Sequence, residues 1–296
     1  MLSFKSFFLT FFLSFLFSFS QESRSFVKYD FKNDKVYNLK LKELKDSLNK
    51  NSTSKLERKI ADLAFYYKDW DTAIDFYEKI VLNAPKGDSY FRLSVAAGRK
   101  SLEVSRLYSI SYLGKTRSAL LKALELQPNN PLFLRTAIEI FYEIPYFLGG
   151  DKEFAKEKAA LLYELDPVEG LMAKGYLNEK EEDLVLAKLN YSKAIKLILK
   201  EELELVLNRE RRDLAYELGR VTADFEINDE LGITSLQFYL KNYNFIDNIA
   251  LEWVYFNLAK ISIKQKAMQK SKIYLEKALE IKPEFKQALL LKKEIK

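Results

Sequence analysis

The chain has 296 residues with 48% hydrophobic content and 48 Lys and Arg against 42 Asp and Glu, so it can bury a sizeable core and is only mildly basic. It contains no histidine and no cysteine, which removes imidazole acid–base chemistry, thiolate nucleophiles, disulfides and Cys/His metal sites. Nine glycines and six prolines in a background of Leu, Lys, Glu, Ala and Ile give the composition of helices, with no long flexible linker to mark a second domain.

At the amino end Lys5 precedes an apolar run from Phe7 to Phe17, and Ser18-Phe19-Ser20 places small residues where a signal peptidase reads. Residues 1–20 are therefore expected to be a signal peptide cleaved before Gln21. An uncleaved anchor needs about 20 apolar residues, and this run is shorter and broken by Ser14. No cysteine follows it, so a lipid anchor on that residue is excluded. Cleavage takes away one lysine and no acid, which lowers the formal charge from +6 to +5. Lys and Glu are interleaved, as in Lys152-Glu153 and Glu276-Lys277, which is the pattern of solvated helix faces rather than of a nucleic-acid surface.

Residues 21–54 form a lead-in segment, with a short helix expected over Val36 to Leu48, and helix pairs fill residues 55–296. The first pair is Lys55 to Tyr67 and Asp71 to Leu82, with Ala73, Tyr77 and Ile80 on one face and Pro85 as the stop. The second opens near Ser89, packs Leu93, Ala96 and Ala97 inward, and carries an enlarged turn over Leu107 to Thr116 before Ala119 to Leu126. The third begins at Pro131, where a missing N–H does no harm, breaks at Ile144-Pro145, and resumes from Asp151 to Leu165 after Gly149-Gly150. The fourth joins Gly170 to Asn178 with Asp183 to Ile198, placing Ala187, Tyr191 and Ala194 on the face used by Ala73, Tyr77 and Ile80. A polar helical stretch, Glu201 to Arg211, leads to the fifth, Asp213 to Glu226 with Asp229 to Leu240. There Gly219 and Gly232 imply close helix approach, because a glycine inside a helix costs about 1 kcal/mol against alanine. The sixth is Leu251 to Lys264 with Ala267 to Ile281, and Glu284 to Lys296 is a lysine-rich final helix.

The pairs are copies of one another. Ala123-Leu124-Glu125-Leu126-Gln127-Pro128 returns as Ala278-Leu279-Glu280-Ile281-Lys282-Pro283, with looser copies ending at Pro85 and Pro167. A single pair cannot bury its apolar face, so neighbours must stack.

With Leu258-Ala259, Ser271, Leu275, Ala278 and Pro283, and with Gly175, Ala187, Tyr191 and Ala194, the units resemble tetratricopeptide repeats (TPR), whose period is about 34 residues. The resemblance implies an all-α, right-handed TPR-like solenoid of about six helix pairs with a C-terminal capping helix. The intervals from Pro85 to Pro128 and from Pro128 to Pro167 exceed that period, so the second and third units depart from it. The pattern Ala97-Gly98-Arg99-Lys100, Gly114-Lys115, Ile144-Pro145-Tyr146-Phe147-Leu148-Gly149-Gly150-Asp151 and Leu165-Asp166-Pro167 is similar to that of exported bacterial TPR proteins. More distantly the chain is similar to the TPR partner subunits of periplasmic solute transporters. Neither family supplies catalytic residues.

Three motifs invite chemical readings and have structural ones. Leu113-Gly114-Lys115-Thr116 lacks the first glycine and the preceding strand of a phosphate-binding loop. Gly149-Gly150-Asp151 superficially resembles a nucleotide-cyclase signature, yet it joins two helices, where glycine supplies unusual φ and aspartate caps. Glu179, Glu181, Glu182 and Asp183 lie at a helix start, where acids suit the macrodipole.

Counting from the small residue of each first helix, the next residue is Arg99, Tyr176, Arg220 or Lys260, a place that in TPR arrays faces the concave groove. Tyr216, Trp253 and Phe256 are expected on the same surface. Together they would form an aromatic groove with cationic points for an extended acidic peptide or partner helix, the alternative being that they pair with helix acids or fill the core. The expected function is a non-catalytic exported scaffold, periplasmic or secreted in a Gram-negative bacterium. Its partner is a protein or peptide of the cell envelope, with no nucleic acid, no cofactor, no metal and no stable membrane insertion after cleavage. The alternative is a ligand-binding or accessory subunit of a periplasmic transport system.

Overall fold

The computed structural model describes residues 29–201, 203–208 and 211–295; the expected signal peptide lies outside them. The fold is all-α, a TPR-like solenoid of antiparallel pairs, and the helices divide into two compact units, Lys28–Ile246 and Asp247–Lys296.

The larger unit opens with α1 (Lys35–Lys50), followed by five pairs. These are α2 (Ser54–Tyr66) with α3 (Trp70–Asn83), α4 (Gly87–Ser101) with α5 (Arg106–Leu126), and α6 (Pro131–Glu143) with α7 (Lys152–Leu165). Next come α8 (Pro167–Lys180) with α9 (Leu184–Ile198), and, after the short α10 (Leu203–Leu207), α11 (Leu214–Phe225) with α12 (Asp229–Asn242). The expected shared face is real: Ala73, Tyr77 and Ile80 on α3 and Ala187, Tyr191 and Ala194 on α9 are all buried. Each buried tyrosine then finds an acid on its partner helix, as burial of a hydroxyl requires. Tyr77 donates to Asp62 at 2.6 Å and Tyr191 to Glu179 at 2.8 Å. Gly219 of α11 permits the expected close approach, since a Cβ there would lie 2.2 Å from Cγ of Leu236 on α12.

The smaller unit pairs α13 (Leu251–Lys264) with α14 (Met268–Ile281) and ends in α15 (Lys286–Glu294). Its core joins Ala259, Leu275, Ala278 and Ala288 around Phe285, with Trp253 and Phe256 packed against it.

One backbone turn recurs at the ordinary pairs. Lys68, Glu182 and Lys266 take positive φ, and the next N–H in each case reaches the carbonyl five residues back: Asp69 to Ala64, Asp183 to Asn178 and Ala267 to Ser262, each at 2.9 Å. Such left-handed closures satisfy the carbonyls that a helix end leaves open. The connection after α6 repeats this closure on Gly149, with the Gly150 N–H reaching the Pro145 carbonyl at 3.1 Å, whereas the connection after α4 has no positive-φ residue.

Three boundaries differ from the sequence reading. Residues 107–116 are helical, because the chain turns earlier, between Ser101 and Arg106. Leu107, Tyr108 and Ile110 are exposed, so this end of α5 shows no inward apolar stripe and reads as a turn. The α8 helix starts at Pro167 rather than Gly170, since Asp166 accepts from the N–H groups of Val168 and Glu169 at 3.1 Å and proline suits the first turn. Among the described residues between 201 and 211 only α10 is helical; the chain is held there by buried Val206 and Leu207.

The lead-in helix is tied to the first pair by Tyr37, which is buried and donates to Asp69 at 2.6 Å. Asp69 also caps α3 by accepting from the Thr72 N–H. Tyr37→Phe is expected to lower stability by about 1.5–3 kcal/mol, the worth of a hydrogen bond to a charged group, as read from urea denaturation followed by circular dichroism.

Candidate functional site

The expected groove residues of the larger unit are drawn into contacts between successive first helices. Tyr176 on α8 is buried and donates to Glu143 of α6 at 2.6 Å, and Lys180 meets the same oxygen at 2.6 Å. Arg220 on α11 grips Glu179 of α8 through two hydrogen bonds, 2.8 and 3.0 Å, and reaches Asp224 on its own helix at 3.1 Å. A planar guanidinium on a carboxylate is the strong, directional form of this bond. The residue after the small one thus lies against the preceding first helix, where an acid meets it. Tyr216 is buried and faces Tyr239, and Arg99 is half-buried near the end of α4. In the smaller unit Trp253 and Phe256 are half-buried with rings 4.7 and 5.5 Å from that of Phe285, and Lys260 lies over Phe256.

A second charge cluster was not among the residues expected from the sequence. Arg135 on α6 donates to Glu217 of α11 at 2.9 Å and pairs with Glu139 one turn on at 3.0 Å. Arg211, from the connection before α11, pairs with Glu169 of α8 at 3.3 Å and hydrogen-bonds Glu217. Arg135, Glu169 and Glu217 are all buried, and the Tyr176 ring stacks on the Arg135 guanidinium at 5.3 Å. The two carboxyls are pushed in opposite directions. Burial opposes ionisation of Glu217, but Arg135, Arg211 and Arg220 overcome it and hold the carboxyl at about 2. For Glu169 burial wins over Arg211 and Arg135 and raises it; its Oε2 is 3.9 Å from Arg135 Nε, too far for a hydrogen bond, and both atoms are unpaired. This cluster ties together three first helices and the connection that precedes the last of them.

Helix α5 and the enlarged connection after α6, by contrast, build an open cleft of about 850 Å³. Ile110, Gly114, Arg117 and Leu121 of α5 form one wall, and Phe141, residues 146–151 and Phe154 form the other. Of its lining residues Ile110, Tyr146 and Phe147 are exposed, Tyr146 to 89%. Pro145 fixes the start of the short 3-10 turn Tyr146–Leu148, and Gly149, at φ +91°, ends it. Gly150 then passes so close to the chain that a Cβ would lie 1.7 Å from the Ile144 carbonyl oxygen. Asp151 accepts from the Phe154 N–H at 2.9 Å and starts α7, the capping role its position implied. Gly114 and Lys115 lie inside α5, and Lys115 pairs with Glu78.

No described helix is long and apolar enough to cross a membrane. No curated protein sequence matches the chain. Among solved structures, a chain of the APC/C hetero-tetramer Cut9-Hcn1 superposes with a TM-score of 0.58 at 16% identity, over 88% of this chain and 46% of that one. PilF of Pseudomonas aeruginosa gives 0.48 at 13% identity, over 80% and 99%, and yeast Tom70 gives 0.49 at 16% identity, over 85% and 49%. The chain spans about half the length of the Cut9-Hcn1 and Tom70 chains. Residues 254–285, covering most of α13 and α14 and the turn that follows, match the family described as Tetratricopeptide repeat. That match and the paired helices with their buried small and aromatic face show a tetratricopeptide-repeat unit at 254–285 within a tetratricopeptide-repeat-like fold.

Proposed function

We propose that the protein is a non-catalytic scaffold that holds a partner protein, and that it does so in the cell envelope after export. The supporting observation is the set of exposed apolar side chains, Leu107, Tyr108 and Ile110 at the start of α5 and Tyr146 and Phe147 on the enlarged connection after α6. Water-exposed aromatics concentrated in this way are the mark of a protein-contacting surface. The like-folded Cut9-Hcn1 chain belongs to a hetero-tetramer, which accords with this reading. Export rests on residues 1–20 and predicts a mature chain beginning at Gln21, readable by amino-terminal sequencing of envelope protein.

Crosslinking in intact cells followed by recovery of the tagged protein from the envelope tests the scaffold reading. A defined partner is expected with the wild type and is expected to be lost when Tyr108, Tyr146 and Phe147 are all replaced by serine, with helical content unchanged. Undiminished recovery by that variant would overturn the assignment of the surface. Arg99→Glu with Lys260→Glu examines the expected groove row without disturbing the Arg220 ion pairs.

A further inference from the structure

We infer that the cleft between α5 and the 146–151 loop receives a segment of the partner that is apolar with one carboxylate, the carboxylate meeting Arg117. This rests on the scaffold reading and specifies its chemistry.

Only two of the described side chains lining the cleft are charged, Arg117 and Asp151. Asp151 is committed to capping α7. The neighbouring Lys115 is matched by Glu78, but Arg117 Nε is buried without a hydrogen-bond partner. Arg117 has no ion pair among the described residues and is half-buried overall, so a carboxylate in the cleft would meet the part of the guanidinium that the loop leaves uncovered. The loop is built around this side chain: a Cβ on Gly149 would lie 2.8 Å from Arg117 Nε, so the glycine is what lets the loop close over the guanidinium. Beside it Leu121, Phe141 and Phe154 offer an apolar floor. The charge complement of such a site is an anion, and the planar fork of arginine suits a carboxylate. The cleft is open to solvent rather than enclosed, and it is rimmed by the exposed rings of Tyr146 and Phe147. An open groove of this kind fits amino-acid side chains projecting from a backbone, whereas a lone acyl chain calls for an enclosed cavity.

Panning a random displayed peptide library against the purified mature protein tests the inference. Enriched peptides are expected to carry aromatic or large aliphatic residues next to Asp, Glu or a free carboxyl terminus. Synthetic copies with free and amidated ends tell the two carboxylate sources apart. Their binding is expected to weaken at least about thirtyfold on Arg117→Met, as for loss of one partner of a desolvated charge pair, and to recover in part on Arg117→Lys. Arg117→Met is expected to melt at or above the wild-type temperature, since it removes an unmet buried donor. Peptides without an acid, binding indifferent to Arg117→Met, or no enrichment at all would each overturn the inference. So would Arg117-dependent binding of decanoate in the absence of peptide binding, which would make the occupant an amphiphile. A cellular partner lost with the serine triple variant yet kept by Arg117→Met would overturn the carboxylate contact and leave the scaffold reading standing.

Discussion

Arg135→Met is expected to destabilise the protein by about 3–5 kcal/mol, the range for removing one partner from a buried ion cluster. Arg135 and Arg211 together face Glu169 and Glu217. Methionine fills much of the arginine volume, so the loss isolates charge from packing. Glu217 and Glu169 then share Arg211 as their one close cation, so two buried carboxyls are left with the compensation of a single guanidinium. The affected helices are α6, α8 and α11, so the loss is expected as a lower urea midpoint and not only as fraying of one pair. Combining Arg135→Met with Glu217→Leu restores the charge balance and is expected to recover a large part of the stability, because an apolar pair of similar volume can replace a buried ion pair without cost. A single variant within about 1 kcal/mol of wild type, the scale of an exposed pair, would show that the cluster does not hold these helices.

The helix pairs were legible because the chain states the same pattern several times. Small residues and tyrosine at fixed spacing, and proline after four of the six second helices, are local signals, and Ala73, Tyr77, Ala187 and Tyr191 are buried where the period put them. What was not legible depended on neighbours outside the pair. Arg220 is a cation after a small residue in the sequence, and only the stacking of α11 on α8 brings Glu179 to it. Arg135 and Glu217 are 82 positions apart, and Arg211 comes from a connection with no period of its own. A charged residue inside an apolar helical face was the available hint: Arg135 lies between buried Leu134 and Ala137 on α6, and Glu217 between buried Tyr216 and Leu218 on α11. Charges in such places survive only when matched. The cleft was half legible. Gly149-Gly150 and Pro145 marked one wall as a loop, but the other wall read as a turn because the apolar residues of α5 face outward.

Acidification is expected to separate the two buried carboxyls. Glu217, held at about 2 in the fold, has an unfolded value near 4.3. A group whose pKa is lowered by folding stabilises the fold above its unfolded pKa, and that contribution is lost as the pH falls toward the folded value. Glu217 therefore contributes about 3 kcal/mol at neutral pH, which disappears between roughly pH 4.5 and 2. Glu169 has the opposite sign: its raised value favours the fold at low pH and works against it as the pH rises through that value. Glu217→Gln is thus expected to lower stability at pH 7 and to flatten the decline below pH 4.5. Glu169→Gln is expected to be neutral or stabilising at pH 7 and to leave the decline in place. Urea denaturation at a series of pH values reads both slopes. An unchanged acid limb in Glu217→Gln would mean that other carboxylates carry the acid sensitivity. In that case the guanidinium groups of Arg135 and Arg211 would be spacers between the helices rather than the source of their attraction.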